Sequence, residues 1–151
     1  MEHVYKPPAS DLENDVETYS LDYKLYKVSG IGVATFFGSI LAGGLLMSRN
    51  YKHLGKELEA RKALIYSFLA TFFILLIAFL IPDDVHIPNL VFTIPQIIVM
   101  VQIAKSEQGQ AIQDHEQRGG ALASNWLAFG ISILVALAIF AIIVLIAMLF
   151  L

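Results

Sequence analysis

The sequence predicts an all-α integral membrane protein, a bundle of four transmembrane helices with little folded outside the bilayer. Hydrophobic residues make up 57% of the chain and charged residues 15%, against about 25% charged in soluble domains. Uncharged runs of about 20 residues or more recur four times, which is the helix length that crosses a hydrocarbon core of about 30 Å. Because unpaired backbone groups are costly in lipid, these runs are expected to be helices.

Charged residues bound the first three runs, and no charged side chain follows Arg118. Asn125 and Trp126 mark the interfacial start of the last run, since indole rings favour the membrane interface. A soluble helical bundle is the alternative, but its helices would carry polar outer faces that these runs lack. The predicted spans are residues 28–48, 63–82, 86–104 and 124–150.

Residues 1–27 form an acidic tail without the basic-then-apolar order of a signal peptide, so the first span is expected to direct membrane insertion. Ser10 followed by Glu13 matches a helix capping box. Apolar residues then recur at helical spacing, at Leu12, Val16, Tyr19, Tyr23 and Tyr26. Alternation at strand spacing also occurs, at Tyr19, Leu21, Tyr23 and Leu25, so two interpretations stay open. The tail is either an amphipathic interfacial helix or largely disordered.

Three short segments connect the spans: residues 49–62, 83–88 and 105–120. Gly55 is expected to break the helix in the first connection. Gly119 and Gly120 are expected to end a polar helix in the third, because glycine adopts the left-handed conformation of helix C-termini.

Lysine and arginine predict the orientation. If every span crosses once, the loops 49–62 and 105–120 share one side and carry seven of the ten basic residues. The positive-inside rule then places these loops in the cytoplasm and both termini outside. Lys24 and Lys27 oppose this arrangement, because they lie next to the first span on the other side.

Small residues recur every fourth position in the first and last spans, which allows close helix approach. The rows are Gly30, Ala34, Gly38 and Ala42, and Ser124, Ala128, Ser132 and Ala136. One interpretation is that these two spans pack together within a protomer. The other is that the rows bind a second copy of the chain or a partner's helix.

A polar group lies at the centre of the third span. Gln96 follows Pro95, which cannot donate to the carbonyl of Val91 and is expected to kink the helix. Thr71, near the middle of the second span, is a candidate partner for Gln96. The three residues form either a polar path or gate, or an ordinary interhelical hydrogen bond.

The sequence offers little for catalysis. It has no cysteine and a net charge of -3, which excludes disulfide and thiolate chemistry and gives no reason to expect nucleic acid. No span contains a charged residue of the kind that coupled transporters use. Of four scattered histidines, only His115 adjoins acidic residues, and we interpret it as a solvent-exposed loop residue. No cofactor or metal is predicted.

Two segments of the chain carry short motifs that can be compared with those of known membrane proteins. Residues 25–55 contain Ala34-Thr35-Phe36 and the pair Asn50-Tyr51 before a Leu-Gly. Residues 108–131 contain His115 with Gly119 and Gly120, followed by Asn125-Trp126. The opening of the chain, Tyr5-Lys6-Pro7-Pro8, is similar to the Tyr-x-Pro-Pro start of several bacterial membrane proteins. With these motifs, residues 25–55 and 108–131 resemble a group of bacterial four-helix inner-membrane proteins without an assigned activity. The resemblance implies a bacterial inner membrane and no particular chemistry.

Three functions are compatible with these patterns. The first is a non-enzymatic interaction or accessory protein that acts through helix contacts with a homo-oligomer or another membrane protein. The second is an oligomeric channel or passive transporter with a polar path at Gln96. The third is a membrane-bound lipid enzyme that uses His115 near the headgroups. The absence of catalytic motifs favours the first.

Overall fold

The computed structural model describes residues 22–82, 84–85 and 87–150. Within them the chain is an all-α helical bundle, as predicted, and each helix is long and apolar enough to cross a membrane. The elements in order are β1 (Leu25–Tyr26), α1 (Val28–His53), α2 (Glu57–Leu80), α3 (Leu90–Gln117), β2 (Leu122–Ala123) and α4 (Asn125–Phe150). The predicted interfacial helix falls mainly on residues 1–21, which lie outside the described residues, and Leu25–Tyr26 is extended.

Helix α1 is broken near its middle. Ser39 has φ 68° and ψ -179°, a conformation that only glycine adopts without strain. It separates a first arm, residues 28–38, from a second arm, residues 40–53. The Ser39 hydroxyl accepts a hydrogen bond from the Leu41 amide at 3.3 Å, which satisfies one of the donors that the break exposes.

The two arms fold back on each other as a hairpin. The Tyr26 amide donates to Asn50 Oδ1 at 2.7 Å, and Asn50 Nδ2 donates to the Tyr26 carbonyl at 2.9 Å. In a straight helix these residues would be about 36 Å apart. A Cβ on Gly43 would overlap the Thr35 hydroxyl across the hairpin. Residues 28–48 therefore do not form one straight helix, and both ends of α1 lie at the same end of the bundle.

The pairing of the two strands sets the direction of α4 relative to the first arm of α1. Strand β1 pairs with β2 in parallel, with Leu25 opposite Leu122 and Tyr26 opposite Ala123. The first arm and α4 follow these strands directly, so they start together and run side by side. Leu25 is fully buried at this junction.

The hairpin is the core of the molecule. In their most apolar stretches, 61% of α1 is buried, against 11%, 11% and 6% of α2, α3 and α4. The three outer helices pack on α1 and make few close approaches to one another. Glycines bring each of them in: Gly38 meets the Ser132 carbonyl of α4, Gly43 meets Met100 of α3, and Gly44 meets Ser67 of α2.

Glycine ends two of the helices, as predicted. Gly55 has φ 71° and Gly119 has φ 82°. After each, an amide bonds back to a carbonyl five residues earlier, Lys56 to Tyr51 and Gly120 to His115, both at 2.8 Å. This is the hydrogen bond of a Schellman motif. Residues 105–117 continue α3 without a break, so the third span and the polar helix after it are one helix.

Filling the space between the arms is expected to destabilise the protein. In Gly43→Val the added side chain collides with the Thr35 hydroxyl and with Met100, whose Cε would lie 3.0 Å from the new Cβ. We expect the free energy of unfolding in detergent to fall by about 1–3 kcal/mol. Gly130→Val is the matched control, because a Cβ there has no neighbour within 4 Å. Equal losses in the two variants would contradict the hairpin.

Candidate functional site

A pair of buried amides closes the base of the hairpin. Asn50 and Gln108 are both fully buried. Asn50 Nδ2 donates to Gln108 Oε1 at 3.0 Å, and Gln108 Nε2 donates to the Met47 carbonyl at 2.9 Å. Together with the bonds to Tyr26, these contacts join β1, the second arm and α3. Both amides lie in segments that read as solvated loops in the sequence, so periodicity gives no signal of their burial.

A histidine–tyrosine–histidine stack lies beside this pair. The Tyr23 ring stacks on His53 at 5.0 Å and on His115 at 4.8 Å between centroids. His115 is 4% exposed, and its Nε2 lies 3.1 Å from the Ala121 carbonyl. The interpretation of His115 as a solvent-exposed loop residue is therefore wrong. A Cβ on Gly120 would overlap the imidazole, which explains a glycine at that position.

We call this region the polar end of the bundle: residues 22–27, 49–57 and 108–124. Its buried polar groups chiefly hold segments together. The Nδ1 atom of His115 has no hydrogen-bond partner within the described residues. Among those same residues no group of three histidine, aspartate or glutamate side chains could hold a metal ion.

The predicted small-residue rows meet within the chain along most of their length. A Cβ on Gly30 would lie 3.4 Å from that of Ala128, and one on Gly38 would lie 2.7 Å from the Ser132 carbonyl oxygen. Ala34, Ala42, Ala128 and Ser132 are fully buried. Ala136 is half-buried. Ser124 is exposed and instead caps α4, where its hydroxyl accepts from the Trp126 amide at 3.1 Å.

The predicted polar group at mid-membrane is not assembled by hydrogen bonding. Thr71 is buried with a hydroxyl that has no partner in the described part of the chain. Gln96 is half-buried and Pro95 is exposed. In the described residues, no hydrogen bond joins Gln96 to Thr71. A gate at these residues stays a prediction.

A cavity of about 500 Å³ opens between the second arm, α2 and α3. One end carries three charged side chains, Glu59, Lys62 and Glu107, and the other reaches Ile40 beside the break in α1. Lys62 and Glu59 form an ion pair at 3.0 Å. Sequence reasoning missed this cavity, because it depends on the fold of α1.

The chain was compared with protein-family models, with curated proteins and with solved structures, and none of them matches.

Breaking the amide pair is expected to destabilise the polar end. Asn50→Leu leaves the Tyr26 amide and carbonyl and the Gln108 oxygen buried without their partner. We expect a loss of about 2–4 kcal/mol in the free energy of unfolding, measured by denaturant titration in detergent. Gln110→Leu, an exposed amide on α3, is the control and should lose far less. A loss as large in the control would show that the buried network contributes little.

Proposed function

We propose that the protein is a non-enzymatic membrane interaction protein that assembles through its transmembrane helices with further copies of itself. The observation that carries this proposal is the shortness of the hairpin. The two arms are about 16 Å and 21 Å long, which is about 55% and 70% of a hydrocarbon core of about 30 Å. Beyond the tip at Ser39, the three outer helices have no central helix to pack on.

The outer halves of these helices expose large apolar side chains. We define the outer halves as residues 72–80, 90–99 and 137–149, nearly all exposed or half-exposed. Phe79 and Met148 are 86% and 73% exposed. Lipid tails can cover these apolar surfaces. The three separated helices leave gaps between them, however, and a neighbouring helix fills such gaps with closer van der Waals contact than lipid does.

Copies of the chain are the proposed occupants of these gaps. The outer halves contain no charged residue, so they suit another apolar helix. The close-approach residues of α1 are already used inside the protomer, at Gly38, Gly43 and Gly44. Contacts between copies therefore involve the large apolar side chains of α2, α3 and α4, rather than the small-residue rows.

The same geometry supports a revised membrane orientation. Since the hairpin returns to its starting side, the tail, the 49–62 loop and the 105–120 segment share that side. All ten lysines and arginines in the sequence then fall on it. The positive-inside rule places this side in the cytoplasm, with three crossings and the end of α4 opposite. The conflict posed by Lys24 and Lys27 disappears. The membrane that the resemblance implies is a bacterial inner membrane.

Single-cysteine crosslinking tests the assembly. The chain has no cysteine, so each introduced thiol reports only contacts between copies. Leu76→Cys lies in the outer half of α2, and Ile65→Cys lies about three turns earlier on nearly the same face. These side chains are 40% and 56% exposed. We expect oxidation in native membranes to give disulfide-linked dimers several times faster at Leu76 than at Ile65.

Two results would overturn the assembly. One is equal crosslinking at both positions, which would indicate random collision. The other is a strictly monomeric protein in lipid nanodiscs at all protein densities.

A further inference from the structure

We propose that the cavity between the second arm, α2 and α3 binds a single-chain amphiphile with a cationic ammonium head group. Val99 is the one residue that lines the cavity and also belongs to the outer halves of the helices. The other lining residues lie outside those halves, so the inference does not depend on the proposed self-assembly. Three features carry it: the dimensions of the cavity, the distribution of charge along it, and its opening to the membrane.

The cavity is long and narrow. Its lining on α2 extends from Glu59 to Ala70, and on the second arm from Tyr51 to Ile40, which is about 16 Å along a helix axis in each case. That length matches one leaflet of a hydrocarbon core of about 30 Å. The volume of about 500 Å³ lies within the range of small-molecule pockets, about 300–1,000 Å³.

These dimensions argue against a helix as the occupant. A helix about 10 Å wide and about 16 Å long fills roughly 1,200 Å³, more than twice the cavity. One alkyl chain fits the space better. The deeper walls are apolar, and they include Met47 and Met100, whose flexible side chains adapt to chains of different shape.

The charged end selects a cation. Lys62 is paired with Glu59 at 3.0 Å, whereas Glu107 has no ion-pair partner in the described residues. Two carboxylates against one ammonium leave a net negative charge at this end. The ring of Tyr51 lines the same end of the cavity, and aromatic faces attract quaternary and primary ammonium groups. A phosphate or sulfate head group would be repelled by the net negative charge of these carboxylates.

The occupant enters from the side. Helices α2 and α3 both pack on α1 but make few close approaches to each other, so the cavity opens between them toward lipid. An amphiphile already in the bilayer can move into it without crossing water. Its head group would then lie level with Glu59 and Glu107, and its chain would point toward the tip of the hairpin.

The test uses dodecyltrimethylammonium with a diazirine in its alkyl chain, added to the protein in nanodiscs of neutral lipid. We expect light-induced adducts on cavity-lining peptides of α1, α2 and α3, and competition by unlabelled dodecyltrimethylammonium. The matching diazirine analogue of dodecyl sulfate should label these peptides several times less. Labelling that is equal for the two probes, or spread evenly over the lipid-facing surface, would overturn the proposal.

Charge variants with opposite expected shifts sharpen the test. Glu107→Gln should weaken the competing affinity of dodecyltrimethylammonium about 2–5-fold, the size of a partly exposed ion pair. Lys62→Gln frees Glu59 and should strengthen it by a similar factor. Glu116→Gln is the control, because it removes an exposed carboxylate of α3 outside the cavity. Shifts of the same sign in the first two variants would contradict the assigned head-group site.

A steric variant tests the chain-binding part. Ala63→Phe places a ring in the cavity and should abolish labelling of its walls while labelling elsewhere persists. Unchanged wall labelling in a folded variant would overturn the proposal. Should Ala63→Phe fail to fold, the two charge variants decide the matter alone.

Discussion

The hydrogen bonds between Asn50 and the backbone of Tyr26 hold the two ends of α1 together, and the other features of the structure depend on that closure. A chain that reverses inside a membrane leaves backbone groups unpaired, which is tolerated only where protein or water surrounds them. Here three helices enclose the hairpin, and glycines at the contacts let them approach closely. The buried amides Asn50 and Gln108 close its base. An open base would leave the Tyr26 amide and carbonyl and the Gln108 side-chain oxygen without Asn50 as their partner.

Hydropathy predicted the four helices of this fold but not the course of the chain through the first of them. The glycine helix ends at Gly55 and Gly119 follow from local pattern. The contact between the small-residue rows is one of the two interpretations that the pattern allowed. The reversal at Ser39 does not follow from local pattern, because the run from residue 28 to 48 has the length of one crossing and contains no proline. Length and apolarity are the same for one straight span and for two short arms. The sequence carried one indirect sign: Lys24 and Lys27 opposed the orientation predicted for a single crossing.

The candidate sites were harder to foresee for the same reason. His115, Asn50 and Gln108 lie in charged segments, where burial depends on which distant segments meet there. The cavity exists only because the second arm turns back between α2 and α3. Thr71, Pro95 and Gln96 were prominent in the sequence because polar residues are rare in the spans, yet in the described structure they share no hydrogen bond. The sequence therefore identified these three residues as unusual for a membrane span, but it did not predict which side chains lie next to them.

Both proposals depend on the hairpin. Because the hairpin is short, the outer halves of three helices have no partner within the protomer. Because its second arm lies between α2 and α3, a cavity forms where the three helices meet. The most direct measurement of the hairpin is the distance between nitroxide labels on Lys27→Cys and Lys52→Cys, two exposed positions in a chain without native cysteine. Electron–electron double resonance in nanodiscs should give about 10–20 Å, as for labels on adjoining helices. A distance near 37 Å, about 25 residues at the helical rise, would mean a straight α1 and would contradict the account.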